Sequence, residues 1–216
     1  MLKTFTALAL TGAALMTFAP ACAGTIDPKA AQAAFEERQA FCDRDNGALW
    51  GKNICGPLFF VDSDTRDIVA NRNTPDGALT KDGDVFTGKL GKEVLISSTT
   101  TTWKGLRWSM ILWPLPDDPA MRKTELVHEA WHVIQESLGF PTRSPVEAAL
   151  GTPFGRTTMR AEWRALAAAL TAPDAAARKS AVRDALIFRA WRRDKVKDAA
   201  EDENELLLNE GVAEYT

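Results

Sequence analysis

The chain has 216 residues, 45% of them hydrophobic and 25% charged, a composition that can bury a core and excludes a disordered or fibrous polymer. Its 26 basic and 29 acidic residues give a formal charge of −3, so the chain as a whole has no electrostatic pull toward nucleic acid or an anionic membrane.

Residues 1–23 stand apart from the rest. Lys3 precedes an apolar run from Phe5 to Phe18, and Ala21-Cys22-Ala23 has the small-x-small pattern of a signal-peptidase site, so 1–23 reads as a signal peptide. The run is shorter than the roughly 20 residues of a spanning helix, and no later segment reaches that length. No stable membrane insertion is expected after cleavage, and the chain is expected to be exported, either periplasmic or secreted. A lipoprotein is not expected, because Ala19-Pro20-Ala21 lacks the large aliphatic residue of a lipidation site three places before Cys22. Cleavage leaves Cys42 and Cys55 as an even pair in an oxidising compartment, which predicts a disulfide; two buried free thiols are the alternative.

Asp27 and Pro28 mark a helix start, and Ala31, Ala34, Phe35, Arg38 and Phe41 keep helical spacing to Arg44. The period then changes. Residues 57–62 and 68–70, joined by Ser63-Asp64-Thr65, read as a β-hairpin, and 71–91 as loops around at most one short strand near 84–87. Two more strands are expected over 93–102 and 106–113, with a turn at Trp103-Lys104-Gly105. An edge strand among these two is the expected rail for an extended peptide, although the run Ser97 to Thr102 also reads as a plain hydroxylated solvent face.

Asp118 as N-cap, Pro119 at the first position and Gly139 with Pro141 beyond the end define a helix over 119–138, largely buried through Met121, Val127, Trp131, Ile134 and Leu138. A loop over 141–156, with a short turn capped by Ser144-Pro145, leads to helices over 157–170, 174–197 and 200–213. The basic stretch of the second of these reads as a solvated face with arginine stems over apolar neighbours. The seven tryptophans read as core and cleft-wall residues.

The helix over 119–138 carries His128-Glu129-Ala130-Trp131-His132. Histidines at i and i+4 share one face, roughly 5–6 Å apart at Cβ, and can aim two imidazoles at one zinc ion. Glu129 beside them is placed as the general base for a zinc-activated water. A catalytic zinc usually has three protein ligands, and the chain holds no third histidine, so the remaining ligand is expected to be a carboxylate. Glu162, 30 residues after His132 on the next long helix, and Glu210, 78 residues after it, are the two candidates. If Glu162 is not a ligand, it is expected as a partner of a zinc histidine or of Arg160 or Arg164.

Taken together, His128 to His132 and Leu208-Asn209-Glu210-Gly211-Val212-Ala213-Glu214-Tyr215 resemble the gluzincin zinc metallopeptidases, in particular the aminopeptidase-N-like group and related secreted peptidases. The resemblance covers two short blocks and differs in the longer spacing between them. It implies His128, His132 and Glu210 as ligands of one Zn2+ ion and Glu129 as base. Tyr215, Arg160 and Arg164 are the candidate donors to the oxyanion of peptide hydrolysis.

The expected fold class is α+β, with an N-terminal helix and a small, mostly antiparallel sheet packed on a C-terminal helical half that carries the zinc helix. Residues 24–216 are expected to form one zincin-like metallopeptidase domain, complete or truncated at its C-terminus, acting on a peptide or protein substrate. The alternative function is a non-catalytic zinc-binding interaction protein of the envelope or exterior.

Overall fold

Asp27 accepts a hydrogen bond from the Lys29 amide, Pro28 occupies the first turn, and helix α1 (Pro28–Asp45) follows; the computed structural model describes residues 26–216, so the expected signal peptide lies outside the described residues. Near its end Cys42 is joined to Cys55, with Cα atoms 5.8 Å apart, which fastens α1 to the strand that follows. Trp50, in the loop so closed, packs against Trp131 with ring centres 4.4 Å apart and the planes tilted by 43°.

Six strands form one mixed sheet: β1 (Leu58–Asp62), β2 (Asp67–Ala70), β3 (Thr80–Asp82), β4 (Val85–Lys89), β5 (Thr99–Trp103) and β6 (Leu106–Trp113), in the order β3-β4-β2-β1-β6-β5. All neighbours are antiparallel except β1 and β6, which run parallel with Phe60 opposite Ile111. The centre of the sheet is buried on both faces, and accordingly every residue of β1 is buried. Leu58 and Phe60 meet Ala34 and Phe35 of α1, whereas Phe59 and Val61 join Trp108, Met110 and the loop residues Leu79 and Leu90 on the other face. The segment 71–91 therefore holds two strands, not one: Thr80 to Asp82 is exposed and polar, and only its pairing with β4 makes it a strand. The strand expected from residue 93 starts at Thr99, because Arg66 reaches the carbonyls of Gly91 and Val94 and holds the intervening chain in a turn.

Asp118 accepts from the amides of Ala120 and Met121, both at 2.9 Å, and starts helix α2 (Pro119–Ile134). A 3₁₀ turn (Gln135–Leu138) ends at Gly139, whose φ of 80° lies in the left-handed region that glycine adopts without strain. Leu126, Glu129, Ala130 and Trp131 are buried; Met121, expected inside, is exposed, since the first two turns of α2 overhang the sheet. Alternation along β6 turns Arg107 and Ser109 toward α2, where they donate to the carbonyls of His132 (3.2 Å) and Glu129 (3.1 Å). Two carbonyls of the motif are thereby tied to the sheet.

No helix forms at Ser144-Pro145. A 3₁₀ turn (Ala148–Gly151) comes later, and Thr152 caps helix α3 (Pro153–Leu170), four residues earlier than the periodicity predicts. Helix α4 (Ala175–Lys195), capped by Asp174, packs antiparallel along α3. The last segment is not one helix but three: α5 (Ala199–Leu206), a π-helical turn (Leu207–Gly211) and α6 (Val212–Tyr215). Trp163 and Trp191, expected in the core, are 59% and 50% exposed. The fold is α+β.

Candidate metal centre

The π turn delivers Glu210 to the histidines of α2. Glu210 Oε2 lies 3.2 Å from His128 Nε2 and 3.5 Å from His132 Nε2, and the two Nε2 atoms are 3.2 Å apart. Four ligands arranged tetrahedrally at about 2.05 Å from a zinc ion are separated by about 3.3 Å. The observed triangle matches one face of such a tetrahedron.

Two acceptors lie behind this triangle. His132 Nδ1 is hydrogen-bonded to Gln135 Oε1 at 2.7 Å, and His128 Nδ1 lies 3.4 Å from Glu214 Oε2, so both Nδ1 atoms face acceptors, an arrangement that favours the tautomer with its proton on Nδ1. Both Nε2 lone pairs then point, with a carboxylate oxygen, into one small volume. In that tautomer three acceptors converge, an arrangement that a cation between them would satisfy, and the donor set of two imidazoles and one carboxylate fits zinc.

A second row of side chains fixes the first. Gln135, 1% exposed, donates to Asn209 Oδ1 at 2.7 Å and to the Pro141 carbonyl, which orients its amide and turns Oε1 to His132. Asn209 Nδ2 donates to Glu210 Oε1 at 2.7 Å and to Ser144 Oγ, and Ser144 in turn donates to the same Oε1 at 2.8 Å. Partial burial works against ionisation of Glu210, but the Ser144 hydrogen bond, together with the positive charge and N–H groups of the histidines when they are protonated, outweighs it and holds the carboxyl below its ordinary value. In a regular α-helix Asn209 and Glu210 would diverge by about 100°; the wider π turn lets both face the site.

Glu129 is 6% exposed and its Oε2 has no hydrogen-bond partner. Burial, reinforced by the carboxylates of Glu210 and Glu125, pushes its carboxyl up to about 8. With His128, Ser98, Met121, Glu125 and Glu214 it lines a cleft of about 440 Å³ that opens between α2 and the edge of the sheet. Strand β5 is that edge, and Ser98 at its start donates to Glu125 at 2.8 Å.

Glu162 is elsewhere. It is 3% exposed and accepts from Arg189 Nε at 2.7 Å and Arg192 Nη2 at 2.6 Å, while Glu203 accepts from Arg192 Nε at 2.5 Å and Arg193 Nε at 2.7 Å. With both oxygens engaged by α4, it is neither a ligand nor a partner of Arg160 or Arg164. It locks α3 to α4. Arg160 and Arg164 are exposed on α3 and form no hydrogen bond to the histidines among the described residues; Tyr215 is 72% exposed on α6, in the same turn as Glu214.

Sequence reasoning missed Gln135, Ser144, Asn209 and Glu214. Two of them carry a local signal: Gln135 follows His132 by three residues and Glu214 follows Glu210 by four, the helical spacings that bring side chains together. Ser144 and Asn209 are joined only through the tertiary fold. Comparison of the chain with protein-family models, curated proteins and solved structures gives no match.

Proposed function

We propose that this chain is an exported zinc peptidase of gluzincin type, with His128, His132 and Glu210 holding the metal and Glu129 as general base. The observation that carries this reading is the triangle of two Nε2 atoms and one carboxylate oxygen with edges of 3.2, 3.2 and 3.5 Å, next to a buried, unpartnered carboxylate. A zinc ion held there supplies Lewis acidity and brings the pKa of a water on it to about 7. Glu129 accepts the proton of the attacking water and passes it to the amine that leaves. An extended peptide is held along the free edge of β5 by backbone hydrogen bonds, which brings its carbonyl over the cleft between that edge and α2. Tyr215, exposed and adjacent in sequence to the cleft residue Glu214, is the proposed donor to the developing oxyanion.

The disulfide between Cys42 and Cys55 supports export. The decisive experiment measures zinc content and cleavage of a mixed peptide library by the wild type and by Glu129→Gln. The expected result is one zinc per chain in both, chelator-sensitive cleavage by the wild type, and a rate lower by about 10² to 10⁴ in the variant. Full zinc content without cleavage by the wild type sinks the peptidase and leaves a metal-binding protein. Less than a tenth of an equivalent of zinc sinks both.

A further inference from the structure

The hairpin of α3 and α4 reverses the usual distribution of side-chain size. Apart from Met159, its buried positions are small or charged: Gly155, Thr158, Glu162 and Ala169 on α3 and Ala185 and Arg192 on α4. Trp163, Leu166, Leu170, Val182 and Leu186 are instead 37% to 85% exposed. The bonds from Glu162 to Arg189 and Arg192 set the antiparallel register, and at about 100° per residue that register brings these five large apolar residues to one face of the hairpin. By the same phase Arg156 and Arg160 line one margin of the face and Lys179 and Arg183 the other. Lys179, Val182, Arg183 and Leu186 also share a shallow depression of about 520 Å³.

Charge is just as unevenly placed. Residues 153–197 hold eleven basic and four acidic side chains, a net +7, in a chain whose total is −3; everything else therefore carries −10. The mild overall charge conceals a strongly cationic arm on an anionic body.

We propose that this face of the α3–α4 hairpin is a peripheral docking surface for an anionic lipid bilayer. Leu166, Leu170, Val182 and Leu186 enter the boundary between head groups and acyl chains, Trp163 takes the interfacial position that tryptophan favours, and the guanidinium and ammonium groups of both margins meet lipid phosphates. A second copy is the poorer occupant, because a two-fold contact would set the basic margins of the face, Arg156, Arg160, Lys179 and Arg183, against each other. Association is in the plane of the surface and reversible, as an exposed amphipathic face with a basic margin binds. It holds the anionic body, with the metal centre, away from the like-charged membrane.

The test is co-sedimentation of the mature chain with vesicles of phosphatidylcholine containing 30% phosphatidylglycerol, against vesicles of phosphatidylcholine alone. Binding is expected to the anionic vesicles only and to weaken as salt rises. Each basic residue at an anionic surface strengthens partition about fivefold, so Arg160→Glu/Arg183→Glu should weaken it by at least about 25-fold. Leu166→Asp/Leu186→Asp should abolish binding without changing the circular dichroism or the zinc content, since all four positions are exposed. A folded wild type that leaves anionic vesicles in the supernatant overturns the proposal. So does binding that the charge reversal leaves unchanged, or a hairpin-dependent dimer in sedimentation velocity with no vesicle binding. Capture of an acidic protein through this face without vesicle binding overturns it as well. None of these readouts depends on peptidase activity.

Discussion

Replacing Gln135 by leucine isolates the support of the metal centre from its ligands. Leucine has nearly the same volume, but it removes the acceptor for His132 Nδ1 and the donor to Asn209 Oδ1 and to the Pro141 carbonyl. Gln135 is 1% exposed and Asn209 5%, so water does not replace what is lost. Each abandoned buried group costs about 1–3 kcal/mol, and the more apolar side chain offsets about 2 kcal/mol of this. Pro141 is exposed, so two groups, His132 Nδ1 and Asn209 Oδ1, carry the cost, and the metal-free protein is expected to lose up to about 4 kcal/mol of stability. Freed of its partner, the His132 ring can rotate or take the other tautomer, and zinc affinity should fall by about 10- to 100-fold, as for other outer partners of zinc histidines. Thermal melting without metal gives the first quantity, and competition against a chromophoric chelator gives the second. Gln135→Glu keeps an acceptor for His132 and should recover part of the affinity. A folded Gln135→Leu protein whose zinc affinity lies within twofold of wild type refutes the assignment of Nδ1 as donor, and with it the convergence of lone pairs.

Glu162→Gln leaves Arg192 with Glu203 as its remaining carboxylate and should destabilise the protein by about 1–3 kcal/mol in urea unfolding, with the zinc stoichiometry unchanged; loss of zinc instead would restore Glu162 to the site. Acid should attack the same place. Burial works against ionisation of Glu203, but the bonds from Arg192 and Arg193 outweigh it and hold the carboxyl below its ordinary value of 4.5. A folded-state value below the unfolded one contributes stability that is present above about pH 4.5 and lost as pH falls through the folded value. Helical circular dichroism should therefore fall on acidification below pH 4.5, less steeply in Glu203→Gln. Cys42→Ser/Cys55→Ser should lower stability by about 3 kcal/mol, the loop being 13 residues, measured by denaturant unfolding against the oxidised wild type.

The parts of this fold legible in the sequence are those specified within a few residues. Asp27-Pro28 and Asp118-Pro119 mark helix starts because cap and first turn are adjacent, and the spacing of His128 and His132 is itself the geometry of a shared ligand face. The parts that stayed hidden depend on partners far along the chain. Thr80 to Asp82 is a strand only by pairing with β4, and the parallel contact of β1 with β6 bridges about 50 residues. Glu162 was ambiguous for the same reason, since its arginines arrive from 27 and 30 residues later. Asn209 could not be joined to Gln135, 74 residues before it, without the π turn that rotates it inward.

The triangle of ligand atoms also joins parts of the chain with very different tethering. His128 and His132 belong to a helix whose carbonyls are bonded to the sheet, whereas Glu210 arrives at the end of a detour through α3, α4 and α5, 82 residues after His128. An ion shared by all three acts on the chain as a cross-link, closing a loop about six times as long as the one closed by the disulfide. In the loop-closure account such a clip constrains the unfolded chain by about 4–5 kcal/mol. Chelation should therefore release the C-terminal segment before it loosens the sheet, and limited proteolysis should cut between α4 and Glu210 first. Metal supply would then set how long the chain survives among other proteases, whatever it does to a substrate of its own.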